Sequence, residues 1–483
     1  MEPYFWLALL IPFFTIFYQT AWKNLNHNQN PKFSWPFIGF LPQMGSLAHR
    51  KLASMATSFK STRLMFISLG SMRLVVSSHP ETAKQILSGN AFSDRPIKET
   101  TRLLMFDRAI GFAPSGKYWH HLRKIASNHM FSPKRILNME GFRQGVVNNM
   151  MQEVCKEMKD RGLVELRGIL HKGSLDNMLE SVFGSSNFGC RGDELGLMVK
   201  EGYELIGEFN WVDYFTLGFL DLFGVKKRCY NLACKVRDLL NGIIEERRRI
   251  GDFRTRDDFL SVLLSLPQED QLCDADMVAV LWEMVFRGVD NVAILLEWIM
   301  ARMVLHQDIQ AKAQQEIDMC VGPNRHVQDS DIANLQYLQA IVKEVLRLHP
   351  PGPLLSWARL AIHDVHLDKC FIPAGTTAMV NMWAIAHDPM IWPDPSTFKP
   401  ERFMEAEFSI MGSDLRLAPF GSGRRACPGK ALGLATVHKW LARMLQQFKW
   451  LPSQPIDLGE CLKLSLEMKK PLQCYAIARS FKK

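Results

Sequence analysis

Apolar residues recur at helical spacing along most of this chain, and one long stretch is apolar almost all round. The stretch from Asp274 to His306 contains 33 residues, and as a helix it extends about 50 Å, enough to cross a domain. A helix without a polar face is buried. Gly288, Asp290 and Asn291 interrupt the pattern. They indicate either a kink with satisfied polar groups or a groove over a ligand.

Other patterns predict shorter helices and a small strand component. A second amphipathic helix runs from Ala333 towards the prolines at 350 and 351, which stop it. A last one follows over Lys430 to Phe448. Short apolar runs at Met72–Ser78 and Cys370–Val380 predict strands. The fold class is therefore mainly α with a minor β component.

The N-terminus predicts a membrane anchor. Pro3 to Trp22 contains no charged residue, and about 20 apolar residues span a bilayer. Lys23 follows directly, so the positive-inside rule places the rest of the chain on the cytoplasmic side. We expect an anchor over residues 1–22, a Pro/Gly-rich connector over 23–45 and a catalytic domain over 46–483. The alternative is an apolar helix packed on the domain.

Charge and cysteine usage exclude several classes of protein. The net charge is +9, but the basic residues are spread along the chain and no standard nucleic-acid-binding signature occurs, so we expect no nucleic acid partner. The ten cysteines form no C-x-x-C pair, which argues against a zinc ribbon or a thioredoxin-type site. Most of them are expected to be reduced thiols in a cytosolic environment.

Cys427 differs from the other cysteines in its surroundings. The stretch from Ala418 to Gly433 reads APFGSGRRACPGKALG, which places two arginines before the cysteine, glycines on both sides and a helix start after it. Cations, a helix N-terminus and flexible backbone all favour a thiolate. A nucleophilic cysteine would also need a base and an oxyanion hole. The other use is as the protein ligand of a haem iron.

The segment FGSGRRACPG resembles the cysteine-ligand signature of the cytochrome P450 family of haem-thiolate enzymes. The resemblance covers essentially the whole chain and is nearest to the plant microsomal A-type class, subfamily 78A. It implies the P450 fold, with haem b between the long distal helix and the cysteine loop. It assigns Cys427 as the iron ligand and the following haem contacts: Trp119, Arg123, Arg359, Phe420, Gly423, Arg425 and Gly429.

The same resemblance implies a buried charge cluster and an electron supply. Glu344 and Arg347 precede the Pro-Pro stop, and Arg402 lies in FKPERF before the cysteine loop; by family order the three brace that loop. The implied reaction inserts one oxygen atom from O2 into a lipophilic small molecule, with fatty acids as the subfamily's usual proposed substrates. Electrons come from NADPH through NADPH-cytochrome P450 reductase, with cytochrome b5 as a second donor, at the endoplasmic reticulum membrane. Basic residues near the cysteine, among them Arg424, Lys430 and Lys439, are expected to dock an acidic partner.

The distal helix departs from the subfamily pattern Arg-Gly-Thr-Asp-Thr. This chain reads RGVDNV over residues 287–292, so the acid is kept as Asp290 while Asn291 replaces the threonine. A hydroxyl can rotate between donating and accepting, whereas an amide has fixed ends. We therefore expect a working enzyme with weaker coupling of NADPH use to product. The catalytic candidates are Asp290 and Asn291.

Two other functions are compatible with the sequence, and the resemblance also implies which residues line the substrate pocket. One rival is a haem-thiolate isomerase or dehydratase acting on an already oxygenated substrate, and the other is a non-catalytic haem protein. By family position, the expected walls of the substrate pocket are apolar, as suits a lipophilic ligand: Phe112, Phe286, Val289, Leu354 and Leu355.

Overall fold

The structure is a computed structural model that describes residues 38–479, apart from 185–189, 209–212, 216–220, 222–223, 255, 323 and 356–357. The expected anchor and most of the expected connector lie outside the described residues. Within the described part, no helix combines the length and apolar character needed to cross a bilayer.

The described residues form sixteen α-helices and eleven short strands, which agrees with the predicted fold class. The helices, in chain order, are α1 Ala48–Ser58, α2 Pro80–Ser88, α3 Glu99–Leu104, α4 Lys117–His129, α5 Pro133–Asn138, α6 Glu140–Arg161, α7 Leu166–Phe183, α8 Cys190–Gly207, α9 Val225–Ile250, α10 Phe259–Leu264, α11 Asp274–Leu305, α12 Gln307–Cys320, α13 Gln336–Leu348, α14 Met382–Ala386, α15 Arg402–Glu405 and α16 Lys430–Gln447.

Helix α11 is the central element of the fold. It runs unbroken for 32 residues through Gly288, Asp290 and Asn291. The tryptophans Trp282 and Trp298 are fully buried on it, one in each of the two largest apolar clusters. Helix α7 packs along it, and a Cβ at Gly288 would lie only 2.5 Å from the sulfur of Met178 on α7. The small residue therefore permits the close approach of the two helices.

The strands form four small sheets at the periphery. Their bounds are β1 Met65–Leu69, β2 Met72–Ser77, β3 Val164–Glu165, β4 Arg359–Leu360, β5 Val365–Leu367, β6 Cys370–Ile372, β7 Thr377–Val380, β8 Phe448–Pro452, β9 Glu460–Leu462, β10 Leu466–Met468 and β11 Gln473–Ala478. One sheet has the order β1-β2-β7-β4, with β2 parallel to β7, and another has the order β3-β11-β8. The pairs β5–β6 and β9–β10 are separate antiparallel hairpins.

Two of these strand elements approach the centre of the molecule. β4 begins with Arg359, whose side chain is buried. The β9–β10 hairpin contacts α11, and its turn is fixed because the Trp298 indole donates to the carbonyl of Leu466 at 2.9 Å. The small sheets thus bring residues distant in sequence to the long helix.

Candidate functional site

A deep cavity separates the middle of α11 from the loop that precedes α16. Its volume is about 260 Å³, just below the roughly 300–1,000 Å³ of an ordinary small-molecule pocket. Asn291 lies on the α11 wall, and Cys427 lies on the wall formed by the loop. The cavity thus places the Cys427 thiol in the same space as the middle of α11.

The cysteine loop is held in shape by its backbone. The Cys427 N–H donates to the carbonyl of Phe420 at 2.9 Å, closing a turn around the thiol. Gly423 has φ +67°, and a Cβ there would meet the Leu87 carbonyl oxygen at 2.3 Å, so only glycine fits this close approach. On the neighbouring helix α4, Arg123 donates to the carbonyl of Ala426 at 2.5 Å.

Arginine side chains line the same cavity in excess of carboxylates. Those among the described lining residues are Arg95, Arg123, Arg287, Arg359 and Arg425, and Glu283 is the one carboxylate among them. Burial, followed by repulsion from Arg425 and Arg123, lowers the pKa of Arg359 to about 9. Burial also lowers the pKa of Arg425 to about 10. An anionic group bound between these guanidinium groups would offset their mutual repulsion.

Arg359 shows most directly that a bound anion fits this site. It is 3% exposed, and its Nη2 donates to the Ser422 carbonyl at 3.2 Å. Its Nε and Nη1 are buried without a hydrogen-bond partner, which is costly for a charged group. The two carboxylates of a haem b would supply acceptors for such donors. A thiol and unpartnered cationic donors that share one cavity fit an iron porphyrin.

Trp119 and Arg425 support this wall from behind. The Trp119 indole N–H donates to the carbonyl of Ile110 at 2.9 Å, and its ring lies 4.3 Å from the Arg425 guanidinium carbon. Arg425 donates to the carbonyls of Ser93 at 3.0 Å and Ala113 at 2.7 Å. Trp119 does not line the cavity. The indole donor of Trp119 is thus bound to backbone, and its predicted contact with the cofactor stays a prediction.

The structure brings Glu344, Arg347 and Arg402 together, all buried. Arg347 donates to both carboxylate oxygens of Glu344 at 2.8 Å, and Arg402 donates to Oε1 at 3.1 Å. The remaining guanidinium donors bind backbone carbonyls between positions 386 and 397. The cluster thus ties α13 to the irregular segment that leads towards the cysteine loop.

On α11, the two catalytic candidates point in different directions. The Asp290 carboxylate lies 3.2 Å from Nδ1 of His171 on α7, and Asp290 does not line the cavity. Asn291 does line it. Its Nδ2 donates to the Arg287 carbonyl at 3.4 Å, and its Oδ1 accepts from the Ser465 hydroxyl at 3.3 Å. His171 and Ser465 were not predicted from the sequence.

The expected substrate wall is only partly reproduced. Leu355 lines the cavity, but Phe112, Phe286, Val289 and Leu354 do not. Phe286 is fully buried and stacks on Tyr203 at 4.5 Å, and Phe112 and Val289 belong to the same apolar cluster. Leu354 packs on the cluster beneath the β1–β2 sheet. These four pack in apolar clusters of the core, and their role in the substrate pocket stays a prediction.

Several polar residues of the cavity wall were not predicted from the sequence. Glu283 accepts from the Gly111 N–H at 2.7 Å and lies 3.5 Å from Arg287, one helical turn away. Arg95 lies after the short helical turn Asn90–Phe92, on a segment with no motif signal. The sequence feature that could have indicated these residues is the i,i+4 spacing of Glu283 and Arg287 on a mostly apolar helix.

The chain is similar in sequence to proteins of a known family. The sequence profile described as Cytochrome P450 matches residues 29–474. The chain belongs to the cytochrome P450 family. Cytochrome P450 78A5 of Arabidopsis thaliana is 54% identical over 90% of this chain and 87% of its own length. Cytochrome P450 78A3 of Glycine max is 51% identical over 94% and 88%.

More distant P450 proteins share the same architecture. The Flavonoid 3'-monooxygenase of Arabidopsis thaliana is 35% identical over 93% of this chain and 92% of its own. A solved zebrafish cytochrome P450, titled as a structure with progesterone, superposes with a TM-score of 0.76 at 23% identity, covering 89% of this chain and 99% of that one; that likeness concerns the fold alone. This P450 is a haem-thiolate monooxygenase that resembles subfamily 78A.

The basic face around the cysteine is smaller than expected. Lys439 is buried and binds Glu140 at 2.8 Å and Asp329 at 3.2 Å, so it cannot contact a protein partner. Arg424 is exposed and donates to Asn90, and Lys430 donates to the Met411 carbonyl at 2.7 Å. A P450 takes electrons from a redox partner, and at this face Arg424 is exposed and Lys430 is half-buried.

Proposed function

We propose that this P450 hydroxylates a lipophilic carboxylic acid, a fatty acid or a growth signal derived from one. One atom of O2 enters a C–H bond and the other leaves as water, while NADPH and a proton supply the two electrons and the two hydrogens. Electrons arrive through NADPH-cytochrome P450 reductase, with cytochrome b5 as a second donor. The observation that carries the haem-thiolate chemistry is Cys427 lining a cavity in which Arg359 has buried donors without a partner.

The chain's own residues would hold the haem b as follows. Cys427 is the iron ligand, and Arg123, Arg359 and Arg425 hold the two propionates. Phe420, Gly423 and Gly429 shape the loop against the ring, all lying near the thiol. Arg95, which lines the same wall, joins the propionate contacts. When bound, the cofactor supplies O2 activation assisted by thiolate donation.

The protein's contribution on the other wall is proton supply and water control. Asp290 pairs with His171, which is 30% exposed, so the pair connects the core of α11 to solvent. Asn291 presents its amide to the cavity and can hold a water there. Asp290 would thus take protons from outside, and Asn291 would order the water that receives them.

The cavity wall supports an acidic, lipophilic substrate. Leu295, Met284, Leu355 and Val292 supply apolar surface. Arg287 lines this wall and pairs with Glu283, and a substrate carboxylate would bind as a further anionic partner of its guanidinium. The combination fits a chain with one charged end better than a neutral aromatic.

The location and anchor are part of the proposal. Residues 1–22 would anchor the enzyme in the endoplasmic reticulum membrane. Residues 23–45 would connect this anchor to the catalytic domain, which residues 46–483 would form on the cytoplasmic side. The uncharged stretch from Pro3 to Trp22 supports this arrangement. It would place the cavity near a membrane from which lipophilic acids can enter.

A reduced carbon monoxide difference spectrum, followed by NADPH turnover of fatty acids with a plant reductase, tests the proposal. We expect the thiolate-type absorbance and hydroxylated acids. Cys427→Ser should lose both, while Cys155→Ser, an exposed cysteine, should lose neither. Thiolate absorbance with no acid oxidised would refute the substrate class. Turnover of a hydroperoxide without NADPH would favour the isomerase or dehydratase, which Asn291 in place of a hydroxyl motivates.

A further inference from the structure

The amide of Asn291 is held from two sides by groups of different kinds. Arg287, one turn earlier on α11, offers its backbone carbonyl to Nδ2 at 3.4 Å. Ser465, in the turn of the β9–β10 hairpin, offers its hydroxyl to Oδ1 at 3.3 Å. The two partners are 178 positions apart in sequence, so only the tertiary fold brings them to the same side chain.

These two contacts fix which end of the amide faces which partner. A backbone carbonyl can only accept a hydrogen bond, so the amide nitrogen must lie towards Arg287. The amide oxygen then lies towards Ser465, and the serine hydroxyl must donate. An amide nitrogen carries two hydrogens, and the Arg287 carbonyl uses one of them. The other is the hydrogen that Asn291 can offer to the cavity that it lines.

Ser465 is itself held firmly. It is buried at 6% exposure. The next residue, Leu466, donates to the Pro351 carbonyl at 2.9 Å and accepts from Trp298 at 2.9 Å. Because Trp298 lies on α11, two turns after Asn291, the hairpin is attached to the same helix whose amide it contacts. These bonds hold the backbone next to Ser465 at α11, so that the serine hydroxyl starts from a position within reach of Asn291.

We propose that Ser465 is a positioning residue that orients Asn291 so that this P450 presents an N–H donor to the reaction cavity. The inference rests on the proposed function, in which Asn291 replaces a rotating hydroxyl. A threonine could orient its own hydroxyl, whereas the amide is kept from turning over by two partners, the Arg287 carbonyl on Nδ2 and the Ser465 hydroxyl on Oδ1. A turned amide would present oxygen to the cavity and would no longer donate to a bound water or to O2.

The experiment measures four variants of the holoenzyme: Ser465→Ala, Ser465→Thr, Asn291→Thr, and Ser465→Ala combined with Asn291→Thr. Two quantities are recorded, the high-spin fraction of the resting ferric enzyme without substrate or NADPH, and the ratio of hydrogen peroxide released to NADPH oxidised with a plant reductase. Peroxide release consumes O2, NADPH and one proton, so it accounts for electrons that do not reach product.

We expect Ser465→Ala to raise both the high-spin fraction and the peroxide ratio by about threefold, the order expected from one lost hydrogen bond. Ser465→Thr keeps the hydroxyl and should retain wild-type values. In the Asn291→Thr background, removal of the Ser465 hydroxyl should change neither quantity.

Equal changes from Ser465→Ala in both backgrounds would show that the serine acts through hairpin packing, and would overturn the inference. Wild-type values in Ser465→Ala would overturn it as well. A response of the spin state in the expected pattern, together with no NADPH-dependent product from any acid, would support the positioning role and refute the proposed function instead.

Discussion

Glu344→Gln should destabilise this P450 strongly although it changes the size of the side chain very little. In the native protein the carboxylate accepts four hydrogen bonds: two from Arg347, one from Arg402 and one from the Lys399 backbone N–H. The side chains of Glu344 and Arg347 are both 0% exposed. Glutamine removes the negative charge and turns amide hydrogens towards guanidinium hydrogens.

The magnitude follows from what remains buried. Arg347 keeps its bonds to the carbonyls of Ala386 and Pro395, but its charge loses the only carboxylate that binds it in the described residues. Removing one partner of a buried ion pair costs about 3–5 kcal/mol. Against a total stability of roughly 5–15 kcal/mol for a folded protein, that is a large share.

Urea unfolding followed by tryptophan fluorescence measures the loss, and the carbon monoxide difference spectrum measures the fraction of thiolate-ligated enzyme. Glu153→Gln is the matched control, because Glu153 pairs with Lys156 at the same i,i+3 spacing but at the surface. The control should stay within about 0.5 kcal/mol of wild type. If both variants unfold like wild type, the cluster does not stabilise the fold and the reasoning about buried charge is wrong here.

Three further predictions concern the cysteine loop, acid stability and haem retention. Gly423→Ala should sharply reduce haem content in purified protein, since its Cβ would meet the Leu87 carbonyl at 2.3 Å; unchanged haem absorbance per chain would contradict this. Burial, with the Arg302 guanidinium alongside, lowers the pKa of His349 from 6.5 to about 4. The unfolded chain therefore binds more protons between these values, and stability falls as pH drops from about 6.5 to 4. In His349→Asn, the free energy of unfolding measured in urea should change less with pH over that range. A dependence on pH equal to that of wild type would contradict the prediction. Arg359→Met should speed haem transfer to apomyoglobin, because Arg359 has two buried donors without a protein partner; an unchanged rate would exclude Arg359 as a propionate contact.

The chain pattern predicted the helical elements closely. The long apolar stretch begins at Asp274 as predicted and ends at Leu305, one residue before the predicted end. The helix predicted from Ala333 begins at Gln336, because a 3-10 turn over Asp329–Asn334 precedes it. Such boundaries depend on local turn chemistry and not on hydrophobic period. The pocket wall stays a prediction, since apolar residues look alike in sequence whether they face a cavity or a core.

The sequence by itself determined the fold class, the family, and the cysteine loop, because helical periodicity and a contiguous motif are local properties of the chain. Tertiary structure alone decided which side chains share a space. It turned Asp290 towards His171 and Asn291 towards the cavity, although they are neighbours in sequence, because adjacent helix positions point about 100° apart. It also brought Ser465 to Asn291 through a hairpin anchored on Trp298, a contact that no pattern along the chain encodes.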